Sequence, residues 1–351
     1  MKRVMCTKVG RLNDPDESKR GEVDVLEYPV PEVGDREVLI KVAYCAICGS
    51  DPHVIGGIFG WEPPFGLGHE ISGVIVEVGP NCKTDVKVGD RVAGNFLNFC
   101  GACYYCKNGQ QQFCENIPEG DFGYSEYVVW NENQVIKLPD DISLKRGCLL
   151  EPLSIGVRAS DKLNLKVGQR VFINGGGPIG LILLQVLKMQ GTTYVTLSEP
   201  VEERRQMALE YGADYVINPF EEDVKAASDR ITGGLGYDAV CDATGSTKAI
   251  EALPPIVAKG GTLLFVGQYP NDYNFPLNLS TYCYHNEVTF CGFFVAPYTF
   301  PRAAQLLPKM NFDKFMQKVY YIDDAKEAFA MHATSKYPKI MINCNKDLAD
   351  L

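Results

Sequence analysis

The stretch Val171-Phe-Ile-Asn-Gly-Gly-Gly-Pro-Ile-Gly180 decides how this chain is read. Three apolar residues end in a glycine run, and an apolar segment from Ile179 to Met189, long enough for about three helical turns, follows. Within the run, Gly175, Gly177 and Gly180 stand at the first, third and sixth positions, with Pro178 and Ile179 between the last two. Strand, glycine turn and helix in that order make a site where backbone N–H groups approach a pyrophosphate at a helix N-terminus. Without those flanks the pattern would be only a glycine-rich turn. Here Glu199 answers it, at the end of the next strand-like run, Thr193 to Ser198. An acid there bonds ribose hydroxyls and repels a 2'-phosphate, which favours NAD over NADP. Arg204 and Arg205 follow closely, and an arginine can hold such a phosphate; Glu199 is nearer the strand tip.

Working outward, apolar runs alternate with helical stretches on the C-terminal side. Tyr215–Ile217, Ala239–Cys241 and Thr262–Val266 read as further strands, and Glu202–Tyr211 as a charged helix. This alternation predicts an α/β unit with a doubly wound parallel sheet of Rossmann type. The texture changes near residue 155. Before it, Val38–Ala43, Ile71–Val78, Arg91–Ala93 and Tyr127–Trp130 are short β-rich runs between Gly and Pro turns. Such spacing predicts an antiparallel, barrel-like domain. After about residue 290 the chain turns irregular, with one closing helix near Asp323 to His332, and is expected to pack back on the first domain.

The chain of 351 residues is long enough for two cores. A net charge of -10 argues against a nucleic-acid surface, which needs clustered Lys and Arg. No apolar run reaches bilayer-spanning length, and the N-terminus lacks a signal-type apolar region. A soluble cytoplasmic protein is the expectation. Its 13 cysteines then read as metal thiolates and scattered buried thiols, not disulfides.

Four of them are grouped: Cys100-Gly-Ala-Cys103-Tyr-Tyr-Cys106, closed by Cys114. Four thiolates around one tetrahedral zinc leave no open position, so such a site is structural. The spacing alone also admits an iron–sulfur cluster or a redox pair of two thiols. Chemistry must then lie elsewhere. Cys48, in Ala46-Ile-Cys-Gly-Ser-Asp-Pro-His53, His69 and Glu70, in Gly68-His-Glu-Ile-Ser-Gly73, and Glu151, in Leu150-Glu-Pro-Leu153, would make an open zinc site. Their convergence does not follow from spacing, and an isolated Cys or His is usually a core residue.

Taken together, Gly68-His69-Glu70-Ile71-Ser72-Gly73, the later Gly79, Gly89-Asp90-Arg91-Val92, the four-Cys loop and the Gly175–Gly180 turn resemble the zinc-dependent medium-chain alcohol dehydrogenases over essentially the whole chain. Glu151-Pro152-Leu153 and Ser198-Glu199-Pro200 with Arg204 carry a resemblance to the polyol and butanediol branch. The resemblance implies a GroES-like β-barrel catalytic domain over 1–155, with 291–351 returning to it, and an NAD-binding Rossmann domain over 156–290. It implies two zinc ions per subunit, one catalytic and one structural. Cys48 and His69 would be catalytic ligands, with Glu70 and Glu151 as ligating or water-holding carboxylates. Cys100, Cys103, Cys106 and Cys114 would hold the structural ion. Ser50 would accept the alcohol proton and His53 relay it; Val266, Gly267, Gly292 and Phe293 would line the nicotinamide pocket.

The implied reaction is hydride transfer between a secondary alcohol and NAD, in a homodimer or homotetramer. The run Val288–Val295 would serve either as an edge strand for sheet extension or as an ordinary buried strand. Two departures bear on the substrate. Polyol enzymes of this type carry an Arg after the Gly-x-Phe segment, where this chain has Phe294 and Val295; Val54 and Ile55 replace an aromatic after His53. They argue against a long linear polyol and leave a vicinal diol, a cyclitol or a modified sugar alcohol. Threonine-type dehydrogenation, a non-catalytic relative on the same fold and a zinc-free reductase are the competing readings.

Overall fold

The computed structural model describes residues 1–118 and 120–349. It divides into two compact units, Met1–Glu151 with Phe300–Leu351, and Pro152–Thr299.

The first unit opens with β1 (Lys2–Lys8) and β2 (Glu22–Glu27), followed by β3 (Glu37–Ala46), β4 (Phe65–Gly66), β5 (Glu70–Val78), β6 (Arg91–Gly94), β7 (Tyr127–Asn131) and β8 (Val135–Lys137). β3, Glu-Val-Leu-Ile-Lys-Val-Ala-Tyr-Cys-Ala, is buried along most of its length and pairs antiparallel with both β5 and β7. Its residues Ile40 and Val42 meet Ile75, Val128 and the fully buried Trp130 in the core. Burying a side chain of that size contributes about 1.5–3 kcal/mol.

The second unit holds β9 (Arg170–Asn174), β10 (Tyr194–Ser198), β11 (Tyr215–Ile217), β12 (Tyr237–Asp242), β13 (Val257–Phe265) and β14 (Thr289–Gly292). All neighbours are parallel, in the order β11-β10-β9-β12-β13-β14. Val171, Phe172 and Ile173 of β9 are wholly buried, as a parallel strand covered on both faces requires. The strand order reverses between β9 and β12, the place where such sheets bind ligands at their carboxyl ends.

The chain then returns to the first unit through β15 (Val319–Tyr321) and β16 (Met341–Asn343), with the helix Ala325–Ala333 between them. The main sheet there runs β15-β16-β3-β5-β6-β8, with β7 also on β3; β15 and β16 are parallel and the other pairs antiparallel. A second sheet is β2-β1-β4.

These two units differ at their limits from the domains expected from sequence, 1–155 with 291–351 and 156–290. Residues 291–299 belong to the second unit and not to the returning tail, because Cys291 and Gly292 extend β14 alongside Leu264 and Phe265. The first boundary falls between Glu151 and Pro152, four residues before 155, inside the helix Leu150–Leu163. The run Val288–Val295 is strand only over Thr289–Gly292, and it forms an edge of the sheet.

Candidate functional site

Strand pairing gathers the first constellation. β3 ends at Ala46, which lies opposite Glu70, the first residue of β5. Cys48, two residues beyond β3, is thereby carried to His69 and Glu70, and one ligand atom from each lies within 4.8 Å of the others. Asp51 fixes this group from behind. Its Oδ2 accepts from the Cys48 N–H at 2.9 Å and from the Tyr124 hydroxyl at 2.6 Å. Its Oδ1 faces His69 Nδ1 at 3.7 Å, which leaves Nε2 as the other ring nitrogen free to ligate. The His69 ring rests on Phe96, centroids 4.9 Å apart.

Glu70 is fully buried. Lys339 donates to its Oε1 at 2.6 Å and to the Ile47 carbonyl at 3.1 Å. The other oxygen, Oε2, is buried with no hydrogen-bond partner. An unsatisfied buried carboxylate oxygen is costly, and a cation beside a thiol and an imidazole removes that cost. Burial, reinforced by Glu70, pushes the Cys48 thiol up to about 12. A divalent cation acts in the opposite sense and favours the thiolate. These donors fit zinc.

Glu151 stands in the first turn of the helix Leu150–Leu163, buried, outside the tight group of three. Burial pushes its carboxyl up to about 8; His69 opposes the shift, while Glu70 and Cys48 add to it. Ser50 stands at the N-cap position of the short helix Asp51–Ile55, beside the Cys48 side chain, without a side-chain cap bond. His53 lies exposed on that helix.

The four grouped cysteines form a separate centre. Their sulfurs all lie within 4.8 Å of one another, with Cys103 Sγ and Cys114 Sγ 4.0 Å apart. All are free thiols, and that separation matches the roughly 3.8 Å edge of a tetrahedron with zinc–sulfur bonds of about 2.3 Å. Backbone N–H groups of Ala102 and Cys103 point at Cys100 Sγ, each at 3.4 Å, and hold its thiol down to about 6. The lobe fits one ion with four thiolates better than a disulfide or a larger cluster. The remaining thiols behave as scattered residues: Cys6, Cys45, Cys148, Cys241 and Cys344 are buried, Cys82 and Cys291 half-buried, Cys283 exposed.

In the second unit the three fingerprint glycines have distinct reasons. Gly175 has φ +105°, a left-handed turn. A Cβ on Gly180 would fall 1.9 Å from the Gly175 carbonyl oxygen, so only glycine lets helix Pro178–Met189 seat there. Gly177 caps that helix, and a Cβ on it would meet nothing within 4 Å. Its backbone therefore faces open space at a helix N-terminus, as a cradle for a pyrophosphate would. Glu199 Oε2 accepts from Gly176 N at 2.7 Å and Oε1 from Val201 N at 3.0 Å. Arg204 Nη1 approaches Glu199 Oε2 at 4.0 Å, while Arg205 is engaged by the Glu199 and Pro200 carbonyls and by Glu202. Val266 N donates to the Asp242 carbonyl oxygen at 2.9 Å, and Phe293 follows β14 half-buried. Val295 sits at φ +47° and Tyr298 at φ +65°, strained backbone just where the chain departs from the polyol pattern.

Asp51, Tyr124 and Lys339 are not apparent from sequence. Asp51 lies in the segment quoted for Cys48, but an acid before Pro reads as an ordinary helix start; Lys339 carries no local signal.

Against known proteins, residues 34–140 match the model for the alcohol dehydrogenase GroES-like domain, and residues 178–309 that for zinc-binding dehydrogenases. The chain belongs to the zinc-dependent medium-chain alcohol dehydrogenases. It is 35% identical to a D-arabitol-phosphate dehydrogenase of Enterococcus avium, over 92% of this chain and 94% of that one. An L-threonine 3-dehydrogenase of Pyrococcus abyssi is also 35% identical, over 91% and 94%. The crystal structure of a protein described as a zinc-binding dehydrogenase from Clostridium scindens superposes with TM-score 0.91 at 34% identity, covering 98% of this chain and 99% of that one. The activity is accordingly hydride transfer between an alcohol and a nicotinamide cofactor, with zinc. Among the described residues no helix is long and apolar enough to cross a membrane.

Proposed function

We propose that Cys48, His69 and Glu70 hold the catalytic zinc, and that Cys100, Cys103, Cys106 and Cys114 hold a structural one. The observation that carries this reading is the buried Glu70 Oε2 with no partner, set beside a thiol and an imidazole. When bound, zinc supplies Lewis acidity that brings an alcohol pKa toward neutrality. The chain's own residues do the rest. Asp51 keeps His69 and the Cys48 backbone in place. Ser50 Oγ, next to the Cys48 thiol, accepts the alcohol proton as it hands on its own hydroxyl proton, and the exposed His53 imidazole delivers that proton to solvent. Glu151, buried in the first turn of the helix Leu150–Leu163, ligates the metal or holds a water at the edge of the group. Gly177 and the helix behind it bind the dinucleotide phosphates, Glu199 selects NAD, and backbone around Val266 and Phe293 orients the nicotinamide ring.

For the substrate we infer a secondary alcohol with a neighbouring hydroxyl, as a diol, a cyclitol or a sugar alcohol with a modified end. The D-arabitol-phosphate relative supports the last class. Threonine is the second reading, supported by an equally similar relative. A homodimer or homotetramer is supported by the edge strand β14 and its exposed neighbours Leu279 (65%), Tyr284 (79%) and Phe294 (56%). Thirteen free thiols suit the reducing cytoplasm.

The test is elemental analysis combined with NAD reduction on a panel of diols, cyclitols, sugar alcohols, their phosphates and threonine. Two zinc ions per chain and turnover confined to one class are expected. Full turnover by a metal-free Cys48→Ala protein would refute the scheme.

A further inference from the structure

The carboxyl edge of the second unit's sheet contains a buried carboxylate that the scheme above does not use. Asp242 ends β12, fully buried, directly opposite Asn174, the last residue of β9. These two strands flank the point where the strand order reverses. Asp242 Oδ1 accepts from Asn174 Nδ2 and from Thr244 Oγ1, both at 2.7 Å. Its Oδ2 accepts from the Tyr269 hydroxyl at 2.5 Å, from Gly245 N at 3.1 Å and from Thr244 N at 3.3 Å. Its backbone oxygen takes the N–H groups of Val266 and Gly267, each at 2.9 Å.

One residue therefore ties the end of β9 to two loops, residues 243–246 after β12 and residues 266–269 after β13. The loops are also in close contact. A Cβ on Gly267 would lie 2.3 Å from Gly245 N, and one on Gly175 would lie 2.8 Å from Thr244 Cγ2. All five donors to its side chain, three from side chains and two from backbone N–H groups, are uncharged. A buried carboxylate is expensive, and without a cation it is tolerated only when its lone pairs are filled in this way.

With Glu199 at the end of β10, the adenosine half of a dinucleotide belongs over β9 and β10, so the nicotinamide half falls to the loops after β12 and β13. We propose that Asp242 is the positioning residue of that half: its side chain, with Tyr269 from the loop after β13 among its donors, sets the loop geometry that receives the nicotinamide nucleotide. This rests on the dinucleotide reading above.

The test compares the parent protein with Tyr269→Phe and Asp242→Asn. NADH binding is followed by fluorescence and AMP binding by calorimetry, because AMP probes the adenosine half alone. Asp242→Asn should weaken NADH binding by about tenfold and Tyr269→Phe by about threefold, as expected for a lost charged hydrogen bond. AMP affinity should stay within about twofold in both. If either folded variant loses AMP and NADH affinity together, or neither, the proposal is overturned. Should Asp242→Asn fail to fold, Tyr269→Phe decides alone. A parent protein that binds neither nucleotide would instead refute the underlying cofactor reading.

Discussion

Replacing Lys339 with Met removes a buried ammonium and leaves its partner behind. Lys339 Nζ lies 2.6 Å from Glu70 Oε1, and the two side chains are 3% and 0% exposed. The second Glu70 oxygen already lacks a donor, so the variant would hold a carboxylate with no hydrogen bond at either oxygen. Breaking a buried pair on one side costs about 3–5 kcal/mol, against about 0–1 for a pair at the surface. In metal-free protein, the first unit of Lys339→Met should therefore unfold at a urea concentration lower by about 1 M or more, given a slope of about 3 kcal/mol per molar. The double variant Lys339→Met/Glu70→Gln should recover most of the loss, because the uncompensated charge is gone. Restoring zinc to the single variant should also narrow the gap, since a cation beside Glu70 replaces the missing one. Urea denaturation of the four proteins of this cycle, with and without zinc, gives the coupling energy directly. A coupling below about 1 kcal/mol in the metal-free proteins would show that this pair behaves like a surface one, and the reasoning about an electrostatically demanding metal pocket would fail.

Cys48→Ala should lose one of two zinc ions and its turnover, whereas Cys103→Ser should lose the other, melt earlier and keep near-normal turnover per folded site; zinc analysis with active-site titration separates them. Gly177→Ala should fold normally yet lose NADH binding by at least about tenfold, because its new methyl occupies the open cradle, while Gly180→Ala should destabilise the second unit by about 1–3 kcal/mol or more through a backbone clash; fluorescence titration and melting curves check both. Glu199→Ala should shift the ratio of kcat/KM for NADP over NAD upward by at least about tenfold, since the acid that repels a 2'-phosphate is gone and Arg204 remains; equal ratios would count against the assigned role. Glu132 has its pKa raised by burial but pulled further down, to about 2, by Thr84 N, Arg36 and Lys83 N. A depressed folded pKa contributes stability above the unfolded value of 4.5 that is lost as pH falls toward 2, so the stability deficit of Glu132→Gln should shrink over that interval in acid titrations followed by circular dichroism.

What could be read from sequence was what the chain encodes locally. Gly175, Gly177 and Gly180 sit in one turn, and the four grouped cysteines lie within one lobe, so spacing alone carries their geometry. Glu199 is one strand further on, and the parallel pairing of β9 with β10 brings it to Gly176. The grouping of Cys48, His69 and Glu70 was harder, because nothing in Cys48 or His69 by itself marks either for such a cluster; the antiparallel register of β3 on β5 brings the three together. Lys339 was beyond reach for the same reason: it is 269 positions from Glu70 and joins it only through tertiary packing. β1 and β2 also escaped, since their mixed charged and apolar residues lack the continuous apolar run of β7. The apolar run past Gly292 misled in the other direction, because hydrophobicity does not show where a strand loses its partner.

The first unit is assembled from both ends of the chain, and this has a temporal consequence. On the ribosome, Lys339 follows Glu151 by 188 residues, and at about 5–20 residues per second that stretch takes roughly 10–40 s to emerge. Throughout that interval β3 lacks β16 along one side, and Glu70 lacks its lysine. The early-made half must wait, partly open, while the intervening nucleotide-binding segment is translated and collapses. Nascent chains are therefore most exposed to chaperones, and the Glu70 carboxylate to any passing cation, before the segment that carries Lys339 and β16 has been added.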